Sequence, residues 1–180
     1  MTYAGPLLLS SEHVLSGFDC GTPALNEWLF QRALTNQTAG TSRTWVVTDI
    51  EAGRVVAFYA SSTSSVLRSN APKRIGRNQP EQLPALLLAR MAVDEGHKGN
   101  GLGAALLKHF MLKAIEVAGS VGVRLLLVHA KNEHAKSFYQ HYGFTESPVD
   151  PLTMTLAEGV EGISPRGCRS SRRDCPPAPP

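Results

Sequence analysis

The chain predicts a mixed α/β domain, with a central twisted sheet that is parallel at its centre and helices on its faces. Three observations carry this. Residues 84–142 alternate strand, helix, strand and helix, the order of a parallel crossover. Thr44–Asp49 and Val55–Ser62 are rich in β-branched and aromatic residues, and Glu51-Ala-Gly-Arg54 between them supplies a hairpin turn. His97-Lys-Gly-Asn-Gly-Leu-Gly103 sets three glycines within five residues, between a strand and a helix.

The elements follow in order. Thr22-Pro23 reads as a helix start, Thr22 as the cap and Pro23 at the first helical position. Leu25, Trp28, Leu29 and Ala33 then repeat at helical spacing and form one buried face. The hairpin comes next, followed by a basic, Pro- and Asn-containing loop over 66–82. Residues 84–93 form a strand, 101–119 a helix, Val123–Ala130 a strand and Glu133–Tyr142 a helix. Gly143 closes that last helix in the left-handed conformation. Phe144–Ser147 and Leu152–Leu156 form a final pair of strands.

At 180 residues and 42% apolar content, the chain holds one ordinary globular domain, residues 1–156. Residues 157–180 differ, with arginine, serine and proline and almost no large apolar side chain, and disorder is expected there. Arg166, Arg169, Arg172 and Arg173 nearly balance Glu158, Glu161 and Asp174, which argues against a basic arm, and a spliced or frame-altered end explains the tail as well. The chain has no apolar run of eighteen residues and no basic start leading into an apolar core. Cys20, Cys168 and Cys175 show no metal-ligand spacing, which argues for reduced thiols, a cytoplasmic location and no metal. The net charge of +3 is concentrated locally: Arg68, Lys73, Arg74 and Arg77 face Glu81 alone, and Arg90 follows on the next strand. These residues suit nucleic-acid phosphates or a solvated loop.

A glycine loop that opens a helix offers backbone N–H groups and a positive dipole end to phosphate. This loop is neither the dinucleotide fingerprint nor a P-loop, because it lacks their glycine spacing and their Gly-Lys-Ser/Thr ending. A ligand-free turn is the plainer alternative. Lys98-x-x-Gly101-x-Gly103 resembles the Gln/Arg-x-x-Gly-x-Gly/Ala loop of GCN5-related N-acetyltransferases (GNAT), with lysine in place of the planar donor. Asn132-Glu-His-Ala-Lys136-Ser-Phe138-Tyr139, ending Tyr142-Gly-Phe144, is similar to the nucleotide side of the same family. The resemblance implies a GNAT fold with an acetyl-CoA cleft and acetyl-CoA as co-substrate. Met91, Ala92 and Val93 would meet the pantetheine arm, and Lys98, Gly99, Asn100, Gly101, Leu102 and Gly103 the pyrophosphate. Asn132, Lys136 and Phe138 would border the cofactor, and Tyr139 would protonate the leaving thiolate.

Gly17-Phe-Asp-Cys20-Gly, Leu25-Asn-Glu-Trp28-Leu and Leu88-Ala-Arg90-Met-Ala-Val-Asp94 narrow the resemblance to acetyltransferase toxins of bacterial toxin–antitoxin pairs. It implies acetylation of the α-amino group of aminoacyl-tRNA, arrest of translation, a ribbon-helix-helix antitoxin, a homodimer, and operator DNA reached only through the antitoxin. Arg68, Lys73, Arg74, Arg77 and Arg90 would then position tRNA.

Amine chemistry points the same way. A lysine amine near pKa ~10.4 is almost wholly protonated at neutral pH and gains most from a base, whereas an α-amine at ~7.7–8.0 already has an appreciable neutral fraction. Residues 84–93 hold no Asp or Glu, and Asp94 falls at the strand end. Direct transfer in a ternary complex is therefore expected. Acetylation of a small amine or a protein N-terminus, and an inactive binding module, are the alternatives.

Overall fold

The computed structural model describes residues 1–157, so the expectations for the tail beyond Ala157 lie outside the described residues. Seven strands form one sheet in the order β1-β2-β3-β4-β5-β7-β6. They are β1 (Tyr3–Leu8), β2 (Arg43–Asp49), β3 (Arg54–Leu67), β4 (Gln82–Val93), β5 (Leu125–His129), β6 (Thr145–Glu146) and β7 (Thr153–Ala157). Only β4 and β5 run parallel; the other neighbours are antiparallel. The sheet is thus mixed and parallel at its centre, and β2–β3 is the expected hairpin.

The helices are α1 (Pro23–Gln31), α2 (Ala33–Thr38), α3 (Lys73–Gly76), α4 (Leu102–Ala118) and α5 (Glu133–His141). The expected face of α1 is buried through Trp28, Leu29 and the following Ala33. Gly143 has φ +92°, as the left-handed closure of α5 requires.

Three features depart from expectation. β1 reads poorly as a strand because Gly5 and Pro6 occupy its middle, yet an outer strand tolerates proline. Gly5 has φ +108°, and a Cβ there would lie 2.6 Å from the Val46 carbonyl oxygen. The segment 66–82 is not wholly loop: β3 continues to Leu67 and β4 begins at Gln82, since Ser61–Leu67 pair with Gln82–Leu88. Only Arg68–Glu81 is left between the strands, and it contains α3, anchored by fully buried Ile75. β7 also runs to Ala157, one residue past the boundary expected at 156.

Adjacent residues of a strand face opposite sides of its sheet, and the centre of β3 shows the effect. Phe58 stacks on Trp28 of α1, with centroids 5.9 Å apart. Tyr59 packs edge-on against Phe110 of α4 at 5.9 Å and bonds His109 Nδ1 at 2.8 Å. The layers α1/α2, sheet and α4/α5 are thereby locked together. Phe110 is fully buried, so Phe110→Ala should cost about 3–5 kcal/mol. Urea denaturation measures this, and a loss under ~1 kcal/mol would contradict α4 as the cover of this face.

Candidate active site

The parallel ladder of β4 and β5 pairs Ala85–Leu88 with Leu125–Val128 and stops there, although β4 continues to Val93. The split coincides with a β-bulge. Ala60 and Ser61 of β3 face Arg90 and Leu88, which leaves Ala89 as the extra residue in β4. Beyond it the strand stays paired to β3 on one side, and Asp94 N donates to Val56 O at 2.8 Å. The two-residue period then turns the amides of Met91 and Val93 away from β3, into the gap.

The gap is a cleft of roughly 760 Å³. One wall is Leu88–Val93 with His97–Gly99 and Gly101–Ala104; the other is Val128, His129, Lys131, Asn132, His134, Ala135, Phe138 and Tyr139. Cys20, Thr22, Ala24 and Leu25 form the rim. The charged lining side chains are Arg90, Lys98 and Lys131; His97, His129 and His134 also line the cleft, and among the described residues no carboxylate does.

The glycine loop is shaped for a close approach of backbone. Gly99 (φ +81°) and Gly101 (φ +76°) are left-handed with open space where a Cβ would be, and Gly101 is the residue before α4. Gly103 permits α4 to approach α5, with its missing Cβ 3.9 Å from Phe138 Cζ. Behind the loop, buried His97 bonds the Tyr3 hydroxyl at 3.1 Å. Lys98 pairs with Glu95 and donates to the Cys20 carbonyl at 3.4 Å. Asn100 is exposed, donates to the His97 carbonyl at 3.1 Å and does not line the cleft.

Burial opposes ionisation of Asp94, but its hydrogen bonds from Arg54 (2.9 Å) and from the amides of Asp19 and Gly96 outweigh that and hold its carboxyl below the usual range. It is a structural anion and not a base facing the cleft. Tyr139 is buried in the opposite wall, and its hydroxyl has no hydrogen-bond partner among the described residues. Burial pushes its pKa up to about 12, so the phenol stays protonated at neutral pH.

Asn132 lines the cleft, and its Oδ1 caps α5 by accepting from Ala135 N at 2.9 Å. Lys136 does not line it. Its ammonium is drawn off to Glu146 (2.9 Å) and Glu133 (3.5 Å). Arg90 lines the cleft with its guanidinium 4.5 Å from the Trp28 ring centroid. The other basic candidates lie elsewhere. Arg68, Lys73 and Arg77 border a second hollow of roughly 780 Å³, with Arg74 on the same short α3. That hollow adjoins the start of β4, about 25 Å along the strand from Arg90 at ~3.3 Å per residue. Sequence reasoning missed Cys20, Thr22 and Lys131, whose approach across 78 to 109 residues leaves no local signal. The Cys20 thiol itself is turned aside to Asn26 Oδ1 at 3.1 Å.

A protonated buried phenol, outward amides and a glycine loop shaped for phosphate, around a cleft lined by no carboxylate among the described residues, suit an acyltransferase that uses a nucleotide-bearing thioester. Residues 40–146 match the acetyltransferase (GNAT) domain model. The chain belongs to this family; it is an N-acetyltransferase, and acetyl-CoA is its co-substrate. It is 41% identical over 154 residues to a tRNA-acetylating toxin of Mycobacterium tuberculosis, covering 86% of this chain and 92% of the relative. Among solved structures it resembles AtaT complexed with acetyl-methionyl-tRNAfMet, at 26% identity and TM-score 0.78, over 87% of this chain and 94% of that one. It also resembles the AtaT–AtaR complex bound to DNA, at 25% identity and TM-score 0.67, over 87% and 94%.

Loss of the phenol hydroxyl should lower turnover without disturbing cofactor binding. Tyr139→Phe is expected to reduce kcat at least ~100-fold while the acetyl-CoA Kd, by calorimetry, stays within about twofold. An unchanged kcat would remove Tyr139 from the chemistry.

Proposed function

We propose that this enzyme is a toxin that transfers acetyl from acetyl-CoA to the α-amino group of aminoacyl-tRNA and thereby blocks translation. The observation that carries the reading is the charge of the cleft, lined by Arg90, Lys98 and Lys131 with no carboxylate among the described lining residues, although Lys98 is paired with Glu95 behind it. Such a lining attracts a polyanionic acceptor and repels a polyamine. The same lack of a carboxylate suits an amine that is neutral near pH 8. The mycobacterial tRNA-acetylating toxin and the complex of AtaT with acetyl-methionyl-tRNAfMet support it independently.

Acetyl-CoA, when bound, supplies the thioester carbonyl that the amine attacks. Lys98 and the amides of the Gly99–Gly103 loop would hold the pyrophosphate. Met91, Ala92 and Val93 would hold the pantetheine arm through backbone hydrogen bonds, with Phe138 and Asn132 against it. Tyr139 would give its proton to the departing sulfur, a role its raised pKa suits at neutral pH. Arg90 would meet the acceptor end of the tRNA, and Arg68, Lys73, Arg74 and Arg77 would contact its phosphates further away. The distance between these two basic regions suits an extended ligand. An antitoxin partner is supported by the AtaT–AtaR assembly; a ribbon-helix-helix antitoxin, a homodimer and operator DNA reached through the antitoxin complete the proposal.

With radiolabelled acetyl-CoA, label should enter charged tRNA and neither deacylated tRNA nor a lysine-rich peptide. Label in the peptide, or in a polyamine without RNA, would overturn the substrate.

A further inference from the structure

Lys131 leaves β5 two residues past its end and stands immediately before Asn132, the cap of α5. Because Asn132 Oδ1 ties the turn to Ala135 N, the lysine's stem is rooted at the cleft rim. Its ammonium donates to Thr22 Oγ1, at 2.9 Å, from the start of α1 across the cleft. Thr22 occupies the cap position of α1, but its side chain caps nothing there. Its hydroxyl is engaged by the lysine instead.

The three cleft cations are not alike. Lys98 has Glu95, and Arg90 has the Trp28 ring. Lys131 has only a neutral hydroxyl and no ion pair among the described residues. A cation placed in a carboxylate-free cleft, on a fixed turn and with a weak, exchangeable partner, compensates no charge of the protein itself. We infer that Lys131 is a phosphate-binding residue of this cleft, resting on Thr22 until it transfers to a phosphate oxyanion of the ligand. The exchange trades a neutral acceptor for an ionised one, which makes the stronger hydrogen bond. Release of Thr22 would also free the Cys20–Thr22 segment, which Lys98 contacts from the other wall through the Cys20 carbonyl.

Two ligands carry such an oxyanion, the acceptor RNA and the cofactor. The acceptor arm rests on the function proposed above; the cofactor arm does not. Lys131→Ala, Lys131→Arg and Lys108→Ala, the last removing one exposed charge from α4, are compared with the unaltered enzyme. Acetyl-CoA Kd is read by calorimetry, and KM for charged tRNA is read across a salt series. If the RNA is the source, Lys131→Ala raises KM about tenfold with kcat little changed. The slope of log(kcat/KM) against log salt then falls by about 0.7–0.9, and acetyl-CoA Kd stays fixed. If the cofactor is the source, acetyl-CoA Kd rises about tenfold instead. In both cases Lys131→Arg recovers most of the loss and Lys108→Ala shows none. Lys131→Ala that changes neither constant, or Lys131→Arg as defective as alanine, would overturn the inference. If the unaltered enzyme fails to label charged tRNA, the substrate assignment fails by itself, and the calorimetric arm still decides the role of Lys131.

Discussion

The parting of β4 from β5 after Leu88 and Val128 is the constraint on which the rest depends. A buried strand must satisfy its backbone donors and acceptors, and past Ala89 those of Met91 and Val93 have no β5 partner. A ligand with amides of its own, such as a pantetheine arm, meets that need. The Ala89 bulge opens the gap, the glycine loop closes one end of it, and the buried phenol of Tyr139 stands in the facing wall. Both helices that follow the parted strands, α4 and α5, begin at its edge.

Electrostatics then select what enters. Carboxylates near the cleft have partners of their own: Asp94 has Arg54, Glu95 has the cleft residue Lys98, and Glu133 and Glu146 have Lys136. What reaches the interior is a set of cations and one phenol that burial keeps protonated. In the function proposed here, Tyr139 would be an acid without a matching base in the cleft lining. The nucleophile's readiness would then be left to the acceptor, which favours an α-amine over a lysine.

Much of this was legible in the chain because its signals are local. The Gly99-x-Gly101-x-Gly103 spacing, the helix start at Pro23 and the left-handed Gly143 each depend on a few neighbouring residues. The strand–helix alternation of 84–142 settled the parallel centre for the same reason. What escaped depends on partners distant in sequence. β1 is a strand because β2 pairs with it, despite Gly5 and Pro6. Val66 and Leu67 read as part of the basic, Pro- and Asn-containing loop that follows them and are held extended by Leu83 and Gln82. Lys136 sits in the motif yet is drawn off by Glu146, a competition that spacing does not encode. Lys131 and Thr22 lie 109 residues apart and meet only through the fold.

In the proposed function this cleft would bring an acetyl thioester and the amine of a polyanionic acceptor together against Tyr139. A crystal structure with acetyl-CoA and a stable analogue of a charged tRNA end tests it most directly. Tyr139 Oη is expected within hydrogen-bond distance of the sulfur, about 3 Å, with the loop amides of Gly99–Gly103 on the pyrophosphate and the α-amine facing the carbonyl with no carboxylate beside it. A phenol turned away from the sulfur, or a carboxylate hydrogen-bonded to the amine, would contradict it.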